Sequence, residues 1–337
     1  MKLTNKVAKF REKCRSSILL IITMTISSWS FASQSTSPEP SVTLMNSSIY
    51  TLYSANGNEH ELIVRLPSSY HEAGNETRDY PVLYVLDGYW DYPLIDSIYN
   101  NLRYDNQIAE LIIVALSYPG DSDEVFSNRR TYDLTPMNIE GFPEGIAGGG
   151  PEYLEYIKET VVPFVGNNFR ADSIDRTLAG TSDGALFTLW AMYQDPSYFT
   201  RHIALSPSVV FNFGALFNID EQYSELTNRL DTSLFLAYGA KENTIWMSAI
   251  YKYAMQVYNH HYEGLKFRAH SISGVGHAGI KNIAYTRALR DVYKDIRPTG
   301  PSSQDSDIEM MNAYGLLEGF TDLGIPTNRL KRLHLHQ

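Results

Sequence analysis

Apolar positions along the chain fall into short uninterrupted runs separated by longer amphipathic stretches. "PVLYVLDG" (residues 81–88) and "ELIIVALSYP" (110–119) are continuous apolar segments of the kind found in strands covered on both faces. Ahead of them, "SIYTLYSA" and "HELIVRLP" flank the turn region Asn56-Gly57-Asn58, which predicts a hairpin. From Pro151 onward the pattern switches regularly. A helix is predicted over 151–169, then the strand "RTLAGTS", a helix over 183–194 and the strand "RHIALSP". A helix near 220–230, the strand "SLFLAYG", a long helix through 245–262, the strand "LKFRAHSI" and a last helix over 278–294 complete the series. Repeated alternation of this kind predicts an α/β fold with a mostly parallel central sheet and helices on both faces. Ligands in such sheets gather at the carboxyl ends of the strands. Residues 120–150, rich in Asp, Asn, Arg and Gly, read as an irregular insertion or lid, long for a simple connection.

The ends of the 337-residue chain follow other patterns. A basic stretch, an apolar run ("ILLIITMTISSW") and small residues at Ser30 and Ala32 predict a signal peptide over 1–32, cleaved after Ala32. The apolar run is too short and too diluted by Ser and Thr for a membrane span of roughly 20 residues. A Ser/Pro-rich linker (33–44) leads into a catalytic domain over 45–297, followed by an extension over 298–337. The expected setting is therefore exported, periplasmic or secreted.

Export changes what the composition permits. Cys14, the one cysteine, lies inside the predicted signal, so the mature chain has no disulfide, thiol nucleophile or thiolate metal site. Removing 1–32 takes away six basic and one acidic side chain and moves the formal charge from −10 to −15. Such a field disfavours nucleic acid and anionic membrane surfaces as partners. What remains is a small-molecule substrate handled by oxygen and nitrogen side chains, with no metal or organic cofactor implied.

Gly180-Thr181-Ser182-Asp183-Gly184 offers the nucleophile. A serine between a strand and a helix is also a preferred N-cap, so the pentapeptide alone does not decide its role. The strand-turn-helix context favours an elbow that pushes Oγ into the open, with the helix dipole where a negative oxygen develops. A base is offered by His277 in "SGVGHAGI", between the last strand and the last helix, where the order serine, acid, histidine requires it. Glu242 is the carboxylate in the loop after "SLFLAYG", with Asp220, Glu221 and Asp231 as rivals. The backbone amides of Asp183 and Tyr89 are the expected oxyanion donors. Tyr89, Trp90, Phe211, Phe213 and Trp246 follow strand ends and suggest a mostly apolar cleft. Arg129 and Arg130 are candidate contacts for an anionic substrate.

The segments "YPVLYVLDG", "GGGPEYLEYIKETVVPFV", "GTSDGALFTLWAMYQDPSYFTRHIALSPS", "YGAKEN" and "GVGHAG", in this order over about 45–297, resemble the putative-esterase (esterase D-like) family of α/β-hydrolases, which includes ferric-siderophore esterases. The resemblance implies Ser182 as nucleophile, His277 as base, Glu242 as acid, and Tyr89 and Asp183 amides as the oxyanion hole. Two positions depart from the family pattern. Position 185 is Ala where Gly is more frequent, and Asp183 sets a carboxylate beside the nucleophile. The reading is an exported serine hydrolase of carboxylic esters. Its rivals are a periplasmic ferric-siderophore lactone esterase and a non-catalytic binding protein on the same scaffold.

Overall fold

The apolar runs become the middle of one eight-stranded sheet in the computed structural model, which describes residues 44–119, 123–139, 141 and 143–296. The predicted signal peptide, nearly all of the linker and the C-terminal extension lie outside the described residues. Among those described, no helix is long and apolar enough to cross a membrane. In chain order the strands are β1 (Ser47–Tyr53), β2 (Glu59–Arg65), β3 (Tyr80–Val85), β4 (Ile112–Ser117), β5 (Ala171–Thr181), β6 (Arg201–Leu205), β7 (Ser233–Gly239) and β8 (Lys266–Ile272). The helices are α1 (Gly88–Tyr104), α2 (Asp123–Asp133), α3 (Gly150–Tyr156), α4 (Val162–Asn168), α5 (Asp183–Gln194), α6 (Ala215–Leu226), α7 (Thr244–Asn259) and α8 (Ile280–Val292).

Spatial strand order is β1-β2-β4-β3-β5-β6-β7-β8. The predicted hairpin β1/β2 adds antiparallel to β4, and from β4 to β8 every pairing is parallel. The chain steps outward from β3 to β4, then returns to the other side of β3 as β5. This reversal opens a crevice beyond the carboxyl ends of β3 and β5, where an open α/β sheet binds its ligands.

Because strand side chains alternate between faces, the same runs supply two cores. Leu83, Val85, Ile113, Ala179, Ile203 and Phe235 pack with residues of α1 and α8. Val82, Tyr84, Val114, Leu178, Ala204 and Leu236 face the opposite way and pack with residues of α3, α5, α6 and α7. Both layers are buried over the central strands, where a charge is costly.

Three elements differ from the expectation. Helix α1 was not predicted, because Pro93 and the polar residues of its 17-residue sequence hide the apolar stripe of Tyr92, Ile95, Tyr99 and Leu102. Helix α2 forms inside the supposed irregular insertion. Its sequence, "DEVFSNRRTYD", shows no apolar face, and a tertiary ion pair described below anchors it. The predicted helix over 151–169 is interrupted by a π turn at Ile157–Val161, two residues before Pro163, which has no N–H to continue the helical ladder.

His202 is fully buried in β6, with Nδ1 2.9 Å from Thr232 Oγ1. Burial pulls its imidazole from 6.5 to about 3. An unfolded chain therefore binds a proton there that the folded chain refuses. Its contribution to stability is complete above about pH 6.5 and drains as pH falls toward 3. In acid unfolding followed by circular dichroism, His202→Gln should lose stability less steeply over that window than the parent, whatever its starting stability.

Candidate active site

β5 runs straight into α5 through Ser182, and the turn is sharp. Ser182 sits at φ 60°, ψ −116°, a backbone region that a side-chain-bearing residue adopts only under tertiary constraint. A Cβ on Gly180 would lie 2.4 Å from the backbone of Gly184, so glycine is required where strand and helix cross. Gly184 is less constrained, since its added Cβ would stand 3.3 Å from Asp87 Oδ2. Ala185 is fully buried and accommodated in the first turn of α5, so the departure from glycine does not disturb the elbow. Although Ser182 stands at the N-cap position, its side chain makes no capping hydrogen bond. Oγ instead lies 3.4 Å from Ser208 Oγ. The helix-cap explanation of this serine therefore fails.

His277 lies in the loop between β8 and α8, and its Nδ1 is 3.0 Å from Glu242 Oε2. Glu242 follows β7 and is 8% exposed. Its other oxygen accepts from Ser206 Oγ at 2.5 Å and from the Gly239 amide at 2.7 Å. Burial alone would raise this carboxyl, but the hydrogen bonds from His277, Ser206 and Gly239 outweigh it and hold the group below the ordinary range. The carboxylate thus stays ionised while fixing one imidazole nitrogen. Trp246 packs edge-on against the imidazole at 5.4 Å. No hydrogen bond joins Ser182 to His277; such bonds are often long without substrate and tighten in the Michaelis complex. The rival acids are elsewhere. Asp220 is buried among Tyr193, Tyr262 and Gln256, Asp231 pairs with Arg229, and Glu221 lies 3.6 Å from His260.

On the other side of the crevice, Asp87 caps α1 with left-handed backbone (φ 58°). The Tyr89 amide points at Ser117 Oγ, a long 3.4 Å contact that an incoming oxyanion can replace. The Tyr89 hydroxyl donates to Glu61. Asp183 opens α5, where the first amides have no partner within the helix.

Arg130, expected to contact an anionic substrate, has its donors engaged by two carboxylates of the protein. Nε and Nη2 clamp Asp87 at 2.6 and 2.8 Å, and Nη1 reaches Asp183 at 2.7 Å. With Arg130 9% and Asp87 3% exposed, this is a buried bidentate pair. Burial pushes the Asp87 carboxyl up, and the Arg130 charge and hydrogen bonds oppose it. The clamp fastens α2 to both candidate oxyanion loops and neutralises the carboxylate beside Ser182.

A second fastening was also missed. Buried Asp91 accepts from Lys281, from Tyr285 at 2.6 Å and from Thr181 at 3.0 Å, joining α1, α8 and the residue before Ser182. Lys281 stands four residues after His277, the one hint the sequence carried. Of the aromatic residues, Trp90 is exposed near Arg130, whereas Phe211 packs against the core. Phe213, 88% exposed, lines an apolar groove of about 740 Å³ with Val209, Phe217, Ile245 and Lys252, beside the loop that carries Glu242.

An eight-stranded, mostly parallel sheet with a strand-elbow-helix serine is an α/β-hydrolase fold, and comparison with known proteins agrees. Residues 54–248, more than half of the chain, match the model of the family described as "Putative esterase". The ferri-bacillibactin esterase BesA of Bacillus subtilis is 26% identical over 239 residues, which cover 66% of this chain and 81% of that one. A siderophore enterobactin esterase of Emericella nidulans is 36% identical over 145 residues, 39% of this chain and 48% of its own length. Among solved structures, the BES protein from Bacillus cereus superimposes with a TM-score of 0.67 at 23% identity, covering 76% of this chain and 99% of that one. The chain belongs to the Putative esterase family, and it is a carboxylic ester hydrolase. The binding-protein alternative is set aside.

Proposed function

We propose that Ser182, His277 and Glu242 act as one catalytic unit that hydrolyses carboxylic esters through an acyl-enzyme. His277 takes the proton from Ser182 Oγ as the oxygen attacks the ester carbonyl. The amides of Asp183 and Tyr89 receive the oxyanion, and His277 returns the proton to the leaving alcohol. Water then repeats the sequence in reverse roles and releases the acid. Glu242 holds the imidazole in the tautomer that presents Nε2 to the serine and stabilises the imidazolium. The 3.0 Å Glu242–His277 hydrogen bond beside a serine in strained, uncapped geometry carries this reading.

Glu242→Gln keeps a hydrogen-bonding partner but removes the countercharge, so kcat should fall by up to about 10⁴ while KM changes little. Steady-state kinetics on a chromogenic ester test this. An equal or larger loss in Asp220→Asn with Glu242→Gln active would move the acid elsewhere. The predicted signal peptide supports an exported enzyme.

A narrower substrate class is favoured by the named relatives, which act on enterobactin and ferri-bacillibactin. The second reading is accordingly a siderophore esterase, with the groove beside Phe213 taking an aryl or acyl arm. Ratios of kcat/KM for neutral short esters against ferric enterobactin, at low and high salt, separate the two. A preference for the ferric lactone by orders of magnitude selects the siderophore reading, and its absence selects the general esterase.

A further inference from the structure

The turn that follows β6, Ser206-Pro207-Ser208, touches both ends of the proposed catalytic unit. Its backbone holds the elbow. The Ser182 amide donates to Leu205 O at 2.9 Å, and the Ser208 amide donates to Ser182 O at 3.1 Å. Its first side chain holds the acid, because Ser206 Oγ donates to Glu242 Oε1 at 2.5 Å, on the oxygen that is turned away from His277. Ser206 is fully buried, so its hydroxyl has no solvent to turn to. Its backbone stands at φ 47°, in the left-handed region that serine enters only under tertiary constraint. That constraint comes from both sides. The Ser206 amide donates to Ala237 O at 2.7 Å, in the strand that leads to Glu242, while Ser208 is tied to the elbow. Glycine adopts positive φ without strain but has no hydroxyl. What serine adds at this position is therefore its Oγ.

We propose that Ser206 is a positioning residue, whose hydroxyl fixes the Glu242 carboxylate so that Oε2 faces His277 Nδ1. Resting on the assignment of Glu242 as the acid under the proposed function, this role reaches turnover only through that carboxylate. Oε1 is held twice, by Ser206 and by the Gly239 amide at 2.7 Å. The carboxylate cannot turn about its last bond without breaking both hydrogen bonds, so the imidazole keeps its orientation while the proton moves to and from Nε2. Substrate binding is out of reach of a fully buried hydroxyl, which confines the effect to kcat.

Steady-state kinetics on a chromogenic ester test this role in Ser206→Ala, Ser206→Gly, Glu242→Ala and the double variant Ser206→Gly with Glu242→Ala. Both serine variants should lose about ten- to hundredfold in kcat with little change in KM, the loss typical of one hydrogen bond to a charged group. Ser206→Gly relaxes the positive φ as it removes the hydroxyl, so its loss is not a folding effect. The double variant should stay within about twofold of Glu242→Ala alone, since without the carboxylate the hydroxyl has nothing to position. A merely structural change would slow both backgrounds alike. Parent-like kcat in Ser206→Gly, or a double variant slower than Glu242→Ala by the full factor of the single change, overturns the role of Ser206 and leaves the acid assignment standing. Parent-like kcat in Glu242→Ala overturns the acid assignment and the role of Ser206 with it.

Discussion

Ser182→Ala and His277→Ala should each lower kcat by about 10³ to 10⁶ without unfolding the protein, and the double variant should be little worse than either single one. Non-additivity follows from the geometry. His277 is held by Glu242 and Trp246 and does no work without an oxygen to deprotonate, and Ser182 Oγ is inert without the base. Neither side chain carries packing that its loss would collapse. Ser182 makes only the 3.4 Å contact with Ser208, and the His277 side chain is 40% exposed. The residual rate should come from the oxyanion donors and from binding alone. Steady-state kinetics, with thermal melts as the folding control, decide the matter. Full additivity, or activity within tenfold of the parent in either variant, would mean that the two residues do not act together.

Arg130→Ala should be the most damaging change outside the three catalytic candidates. It leaves Asp87 buried with an uncompensated charge, a situation that costs about 3–5 kcal/mol. It also frees Asp183 beside Ser182 and unfastens α2 from α1 and α5. A large fall in melting temperature is expected, together with loss of activity in the fraction that remains folded. Arg130→Lys should rescue only in part, because an ammonium cannot span Asp87 and Asp183 in the bidentate geometry of a guanidinium. Removing the charge of the partner as well, in Arg130→Ala with Asp87→Asn, should recover stability relative to Arg130→Ala alone. If Arg130→Ala melts like the parent, the clamp has no structural weight and Arg130 returns as a substrate contact.

The contrast between Ser182 and Arg130 explains how much could be read before the fold was known. Ser182 is announced by its own neighbours, since the glycines at 180 and 184 and the switch from strand to helix are local facts. His277 and Glu242 are announced by position, each in the loop after a recognisable strand, and the fold brings their side chains to 3.0 Å. Arg130 bonds residues 43 and 53 positions away, and nothing near it in the chain reveals that its charge is already used. The same holds for Asp91, whose partners include Thr181 and Lys281, 90 and 190 positions away. Its helix was invisible because Pro93 and interspersed Asp and Asn residues broke the apolar period. Helix α2 was missed for a related reason. It is anchored by the ion pairs of Arg130 with Asp87 and Asp183, which leave no hydrophobic stripe in its sequence to betray it.

The central claim is that Ser182 is the activated nucleophile, and covalent labelling examines it directly. The folded protein is treated with diisopropyl fluorophosphate, residual ester hydrolysis is followed over time, and the adduct is located by peptide mass spectrometry. A single diisopropylphosphoryl group on Ser182, formed in parallel with loss of activity and absent from His277→Ala on the same timescale, is the predicted result. Hydrolysis that continues at the parent rate once Ser182 is fully modified, or an inactivating adduct on another residue, would contradict it.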